Sequence, residues 1–199
     1  TGVGIRKLLD VAERWFPNPA EANAPPFEKG PERQRIQAVP DAKAHVVADV
    51  FKIVNDPFVG KLGVFRVHQG TVKKDTQLFV DDGKKPFKVG HLFKLKGKDH
   101  VEITQAVPGD IAAVAKIDDL HFDAVLHDSH DEDQIHLRPV DFPKPMFGLA
   151  IEAATRGQEQ KLSTALHKLA EEDPCFHVEH NPELNETVIR GLGEMHLRV

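Results

Sequence analysis

Apolar positions along this chain recur first with a helical period and then with the period of a strand. Ile5, Leu8, Leu9, Ala12, Trp15 and Phe16 fall three, four and seven residues apart, one stripe of a period of about 3.6 residues. Residues 1–16 are therefore expected to form an amphipathic helix, stopped by Pro17 and Pro19. Residues 17–43 hold six prolines and little apolar periodicity, the composition of a partly extended linker. From Ala44 to about Ile117 the period drops to two. Phe87, Val89, Phe93 and Leu95 alternate with Lys88, Lys94 and Lys96, the signature of a strand with one buried face. His45–Ile53, Leu62–His68, Gln77–Val80, Val101–Ile103 and Ile111–Ile117 give further strands, punctuated by Asp56-Pro57, Asp82-Gly83, Gly97-Lys98 and Pro108-Gly109-Asp110. Short strands with frequent turns and no intervening helix predict a small antiparallel barrel over residues 44–120.

Residues 121–142 read as an acidic, histidine-rich connector, and Pro143 and Pro145 open a last unit at 143–199. It has a strand at Met146–Ala154, a helix at Gln158–Glu172 and two strands at Phe176–His180 and Thr187–Arg190. Leu162, Ala165, Leu166 and Leu169 carry the helix stripe and Pro174 ends it. Gly191 and Gly193 permit a sharp turn before Glu194, whose charge suits a new helix N-terminus. The order β-α-β-β-(α) predicts an incomplete ferredoxin-like fold. In the complete fold the strand order is 4-1-3-2, so the Met146–Ala154 strand should present an open edge, and that edge and the Ile5–Phe16 stripe should seek partners or self-associate.

At 199 residues with 40% hydrophobic and 29% charged positions, the chain has material for one large or two ordinary domains and is not globally disordered. Its apolar runs are far shorter than a membrane-spanning helix needs. No secretory signal opens it, and one cysteine excludes an internal disulfide. A cytoplasmic location is the expectation. The formal net charge of -5 argues against holding nucleic acid by bulk charge. The charge is uneven, however: Lys84, Lys85, Lys88, Lys94, Lys96 and Lys98 lie in a stretch without an acid, whereas 118–133 has seven acids and no lysine or arginine.

No phosphate-binding G-x-x-x-x-G-K-[ST] occurs, neither serine sits in a nucleophile elbow, and Cys175 beside Pro174 reads as a small core residue. No catalytic, cofactor-binding or metal site is assigned. His121, His127, His130 and His136, among Asp123, Asp128, Asp131 and Asp133, are ligand types for a metal, but no glycine-bounded turn fixes them in place, so the stretch reads as a solvated, flexible acidic connector with a metal site as the alternative. The lysine cluster fits either protection of an edge strand or a face that contacts RNA phosphates. Glu171-Glu172-Asp173 places three carboxylates where the helix dipole favours cations. Either solvent with Lys168 and His167 compensates them, or a partner's cation is held there.

Several motifs together resemble the bacterial translational GTPases, most closely elongation factor G and its paralogues. Gly2-Val3 with Leu8-Leu9-Asp10 and Pro17-Asn18-Pro19 resembles the end of the family's G domain. Phe51-Lys52-Ile53, Asp56-Pro57, Gly60-Lys61-Leu62, Phe65-Arg66-Val67 through Gly70 and Pro108-Gly109-Asp110-Ile111 resemble its second domain. Phe142-Pro143-Lys144-Pro145, Glu171-Glu172-Asp173-Pro174-Cys175-Phe176 and Gly191-Leu192-Gly193-Glu194-Met195-His196-Leu197 resemble its third. The resemblance implies a fragment of a GTPase whose nucleotide site, with GTP and magnesium, lies outside these residues. It further implies a barrel and a ferredoxin-like domain that bind the small ribosomal subunit and couple nucleotide state to domain movement, packed in the whole protein on its own G domain. Glu171, Glu172, Asp173, Pro174, Gly191, Gly193, Glu194 and His196 are the family motif residues of the third domain. Phe122-Asp123-Ala124-Val125-Leu126 stands where the family has Thr-Gly-Asp-Thr-Leu, so a different local turn is expected. With the histidine load, this favours a divergent paralogue, and a ribosome-protection or recycling role is the alternative to translocation.

Overall fold

The computed structural model describes residues 2–18, 27–155, 157–182 and 186–198. Helix α1 (Ile5–Trp15) starts after Gly4, at φ 86°, and ends at Phe16 in extended conformation, as the residue before a proline prefers. It buries none of its residues, and Trp15 is 75% exposed. The stripe expected from the sequence is present and uncovered among the described residues.

Among the described residues thirteen short strands follow: β1 (Phe27–Lys29), β2 (Gln34–Ile36), β3 (Val47–Asp56), β4 (Gly60–Gln69), β5 (Val72–Lys73), β6 (Gln77–Val80), β7 (Phe87–Lys88), β8 (Leu92–Lys96), β9 (Asp99–Glu102), β10 (Gln105–Ala106), β11 (Ile111–Ala115), β12 (Val125–His127) and β13 (Ile135–Leu137). Eight form one antiparallel sheet in the order β7-β6-β12-β3-β4-β11-β8-β9. Register shifts in β3 at Val47/Ala48 and Val50/Lys52 bend it, as bulges do, and the sheet curls into a barrel. The curl is closed by β5 pairing with β10 and by Asp75 N–H to the Val89 carbonyl (2.8 Å) and Val89 N–H to that of Thr76 (2.9 Å). Strand alternation decides what fills it. Phe65 and Val67 of β4 point inward onto Val50, Leu78, Leu92 and Leu126. Leu62 and Val64 point outward under Phe93, Leu95 and Val59. The β3–β4 turn is stapled by Asp56, whose Oδ1 accepts the Phe58 and Val59 N–H groups, each at 2.8 Å. Those bonds, that of Val59 foremost, hold its carboxyl below its ordinary value.

Two stretches differ from expectation. The supposed linker contains the β1–β2 hairpin, turned through Gly30 (φ 73°) and Arg33 (φ 50°) and paired with β13. Residues 19–26 of that linker lie outside the described residues. Nor is 121–142 a solvated connector. Strand β12 sits in the large sheet between β6 and β3 with Val125, Leu126 and His127 buried, and Phe27, Val47, Val125 and Ile135 make a second core between the barrel and the small sheet β13-β1-β2. A three-residue strand has too few positions to show a period, so its buried face leaves no pattern in the sequence. Burying Phe27 contributes about 2–3 kcal/mol by area, enough to anchor a hairpin this short. At the divergent turn, Asp123 adopts φ 65°, the left-handed conformation a glycine reaches without strain. The loss of glycine has therefore not removed the glycine-type backbone.

The last unit comprises β14 (Phe147–Ile151), α2 (Glu159–Glu172), β15 (His177–Asn181), β16 (Glu186–Gly191) and α3 (Glu194–Arg198). Its sheet order is β14-β16-β15, the 1-3-2 core of a ferredoxin-like fold. Leu166 of α2 packs on Phe176 and Ile189, flanked by Ile151, Leu162, Val178 and Leu197. Among the described residues β14 pairs on one side alone, with β16, leaving the open edge the topology predicts.

Candidate functional site

The C-terminal end of α2 is where the two units meet. The helix stops because Pro174 follows, and Asp173 takes extended dihedrals as its C-cap. Its last carbonyls lack intrahelical partners. The Asn55 side-chain amide donates to the Lys168 carbonyl in the last turn of the helix, at 3.1 Å. The Glu172 carboxylate accepts the Asn55 backbone N–H. Glu171 Oε1 lies 3.2 Å from Lys61 Nζ, and Lys61 also donates to the Asp118 carbonyl at 3.0 Å. Asn55 and Lys61 are register partners at the tip of β3–β4, held there by the Asp56 staple. The Lys61 side chain is 13% exposed against 45% for Glu171, so the cation is the more desolvated partner. The three carboxylates are thus not left to solvent: the barrel supplies the cation, and Lys168 contributes a carbonyl instead of a charge.

Asp173 faces the other way. Its Oδ1 accepts the Cys175 N–H at 2.7 Å, and its Oδ2 accepts from His196 Nε2, also at 2.7 Å. His196 Nδ1 accepts the Leu192 N–H at 3.0 Å, which fixes the ring with its proton on Nε2. Gly191 makes this possible: a Cβ there would lie 2.8 Å from His196 Nδ1 and 2.7 Å from Leu197 Cδ2. Gly193 meets no such obstruction, and Glu194 pairs with Arg198 along α3 at 2.5 Å. The motifs at 171–176 and 191–197, separate in sequence, therefore form one hydrogen-bonded node. Consecutive side chains of one helix end grip the barrel (Glu171, Glu172) and the start of α3 (Asp173). Chemically this is a hydrogen-bonded and ion-paired joint between the two units; Cys175 is buried beneath it.

The other candidates lie elsewhere. Lys84 and Lys85 sit in the turn after β6, Lys88 on β7, Lys94 and Lys96 on β8 and Lys98 in the β8–β9 turn, all exposed. Strand β8 is flanked by β11 and β9, so Lys94 and Lys96 are not on an edge. Lys88 pairs with Asp75 at 2.9 Å, whereas the other five form no ion pair among the described residues. His121, His127, His130 and His136 surround the small-sheet junction, and among the described residues no group of three or more ligand-type side chains is placed to hold a metal ion. Sequence reasoning named the acidic helix end but not Asn55 as its partner; the broken charge rule at Glu171–Asp173 was the available signal.

A curled antiparallel barrel joined through a helix end to a split β-α-β-β sheet defines the paired domains of a translation factor. Residues 45–128 match the family described as elongation factor G domain 2, and residues 142–199 match elongation factor G domain III. Among solved structures, a crystal structure of a protein from Thermus thermophilus superposes with a TM-score of 0.74 at 29% identity, over 98% of this chain and 26% of that one. The matched segments are thus the second and third domains of the elongation factor G family, and the chain spans about a quarter of the length of that Thermus protein.

Proposed function

We propose that this chain is the ribosome-binding and conformational-coupling part of a translational GTPase, with the barrel and the ferredoxin-like unit moving as levers about the α2 joint. The observation that carries the reading is the joint itself. Glu171 and Glu172 bind the barrel while Asp173 binds α3, so a displacement of either unit is felt by the other through one helix end. The exposed Lys84, Lys85, Lys94, Lys96 and Lys98, without an ion pair among the described residues, offer a positive face to ribosomal RNA of the small subunit, where binding would be to phosphates. GTP and magnesium are assigned to a G domain outside these residues, since no phosphate cradle is encoded here; the uncovered α1 stripe is the surface such a domain would bury. Cosedimentation with small ribosomal subunits tests the reading. The double variant Lys94→Glu/Lys96→Glu should weaken binding and lower the slope of log affinity on log salt by about 0.7–0.9 for each phosphate no longer neutralised. Unchanged affinity and slope would remove these lysines from the interface.

A further inference from the structure

Rings gather where the large sheet ends. Strand β9 is its last strand and pairs only with β8 among the described residues. Their register sets Phe93 opposite Glu102 and Leu95 opposite His100 on one face, and Lys94 opposite Val101 and Lys96 opposite Asp99 on the other. On the first face His91 stacks on Phe93, with centroids 6.0 Å apart and planes 14° apart, and Phe93 meets His100 at 6.1 Å and 59°. Leu62 and Val64 lie buried beneath Phe93 and hold its inner side. Its outer side is open: Phe93 and His100 are half-buried, and the His91 side chain is 57% exposed. Glu102 Oε1 fixes one end of the ladder, 3.1 Å from His91 Nδ1 and 3.7 Å from Lys74 Nζ. Edge strands are ordinarily blunted with charge; this hairpin keeps Lys94 and Lys96 for one face and gives the other to rings.

We infer that this hairpin is a site for single-stranded RNA: unpaired bases stack on His91, Phe93 and His100, and their phosphates run past Lys74, Lys94, Lys96 and Lys98 at its edge and tip. The inference rests on the RNA reading proposed above and narrows it, from phosphates on any RNA to a segment whose bases are free. Every base has a π-face, so a strip of rings binds without regard to sequence, and phenyl and imidazole rings both serve. In a duplex those faces are stacked on one another and out of reach, leaving backbone and shape. Charge points the same way. The four lysines stand beside two acids, Asp99 and Glu102, on a chain whose formal net charge is -5. An apolar protein anchor would need a pocket to fill, whereas Phe93 is already seated and the rings beside it are imidazoles. No strand period records the ladder, because His91 and His100 come from either side of the β8–β9 turn.

Titrating the chain with a single-stranded oligocytidylate of about eight nucleotides, and with an RNA duplex of about twelve base pairs, separates the two readings. By NMR, the ring protons of His91, Phe93 and His100 should move upfield with the single strand and stay in place with the duplex. Phe93→Leu keeps an apolar side chain over Leu62 and Val64. It should weaken single-strand binding about five- to fiftyfold, the loss of one stacked base, without changing the duplex. His100→Gln, at the sheet edge, should act in the same sense and leaves the core untouched, so a folding defect in the first variant does not decide the matter. Lys94→Glu/Lys96→Glu should weaken both RNAs and lower both salt slopes. If the lysine variant weakens both RNAs while the ring variants bind the single strand as the parent does, the stacking site is overturned and the phosphate reading stands. If the ring variants weaken the single strand and the lysine variant changes nothing, the lysine contacts fail and the stacking stands. Ring protons unmoved by excess oligocytidylate, or moved equally by the duplex, overturn the site and leave the strip to a protein partner.

Discussion

The α2 joint can be opened one interaction at a time, and the Asn55 amide reports on it directly. Its N–H ends on Glu172, and its side chain on the Lys168 carbonyl. Glu172→Gln keeps an acceptor of the same shape and removes the charge. A hydrogen bond to a charged acceptor contributes about 1.5–3 kcal/mol, a neutral one about 0.5–1.5. The difference at this exposed site is therefore about 1 kcal/mol, or exchange of the Asn55 amide about fivefold faster. Glu171→Gln acts on a different bond, the 3.2 Å pair with Lys61. Two full charges at that separation attract by about 5 kcal/mol at an effective dielectric of about 20, but solvent at the half-exposed carboxylate and side-chain entropy cut the net gain to about 0.5–1 kcal/mol. Because Lys61 stands opposite Asn55 in the β3–β4 ladder, a joint that opens as one body predicts that Glu171→Gln also speeds Asn55 exchange, by about two- to fivefold, and that added salt shrinks the effect. The Val64 amide, in the middle of β4 and away from the joint, should not respond. If Asn55 exchanges at the parental rate in Glu171→Gln, the two bonds are independent and the coupling reading fails.

Two further outcomes are expected. Gly191→Ala should destabilise the ferredoxin-like unit by about 1–3 kcal/mol, read as a lower urea midpoint, because the His196 ring in its path is pinned by Asp173 and Leu192; an unchanged midpoint would show that the ring moves aside freely. Trp15 is the sole tryptophan and is 75% exposed, so its emission should shift to shorter wavelength as concentration rises if α1 stripes self-associate, and sedimentation velocity should show the matching dimer. Emission and sedimentation independent of concentration would leave a separate domain as the occupant of that stripe.

What the sequence made legible follows from how many residues an element spends. Strands β3, β4, β8 and β11 are five to ten residues long and α2 is fourteen, so each completes its period and is readable. The three residues of β1, β2, β12 and β13 complete none, and their acidic neighbours made 121–142 look solvated when Val125 and Leu126 are core. The site divides in the same way. The acidic helix end announced itself by breaking a charge rule, but its partner Asn55 stands 117 residues away from Glu172, and no local pattern records an interaction at that range. The histidines were visible as ligand types; that they face carbonyls and carboxylates, in place of one another around an ion, is a property of the fold.

The broken rule itself is the remaining clue. Replacing Glu171 and Glu172 by lysines would suit the helix dipole by about 0.3–1 kcal/mol each, so the sequence carries a local cost that a free helix would shed. The cost is offset only when the barrel is in place. The exposed carbonyls and the carboxylates then form a single negative pole, and Lys61 with both donors of Asn55 satisfies it from one hairpin tip. A helix end built this way is least comfortable when the units part. Its charge is therefore better explained as a device for keeping the barrel and the α/β unit in register than as a means of stabilising either alone.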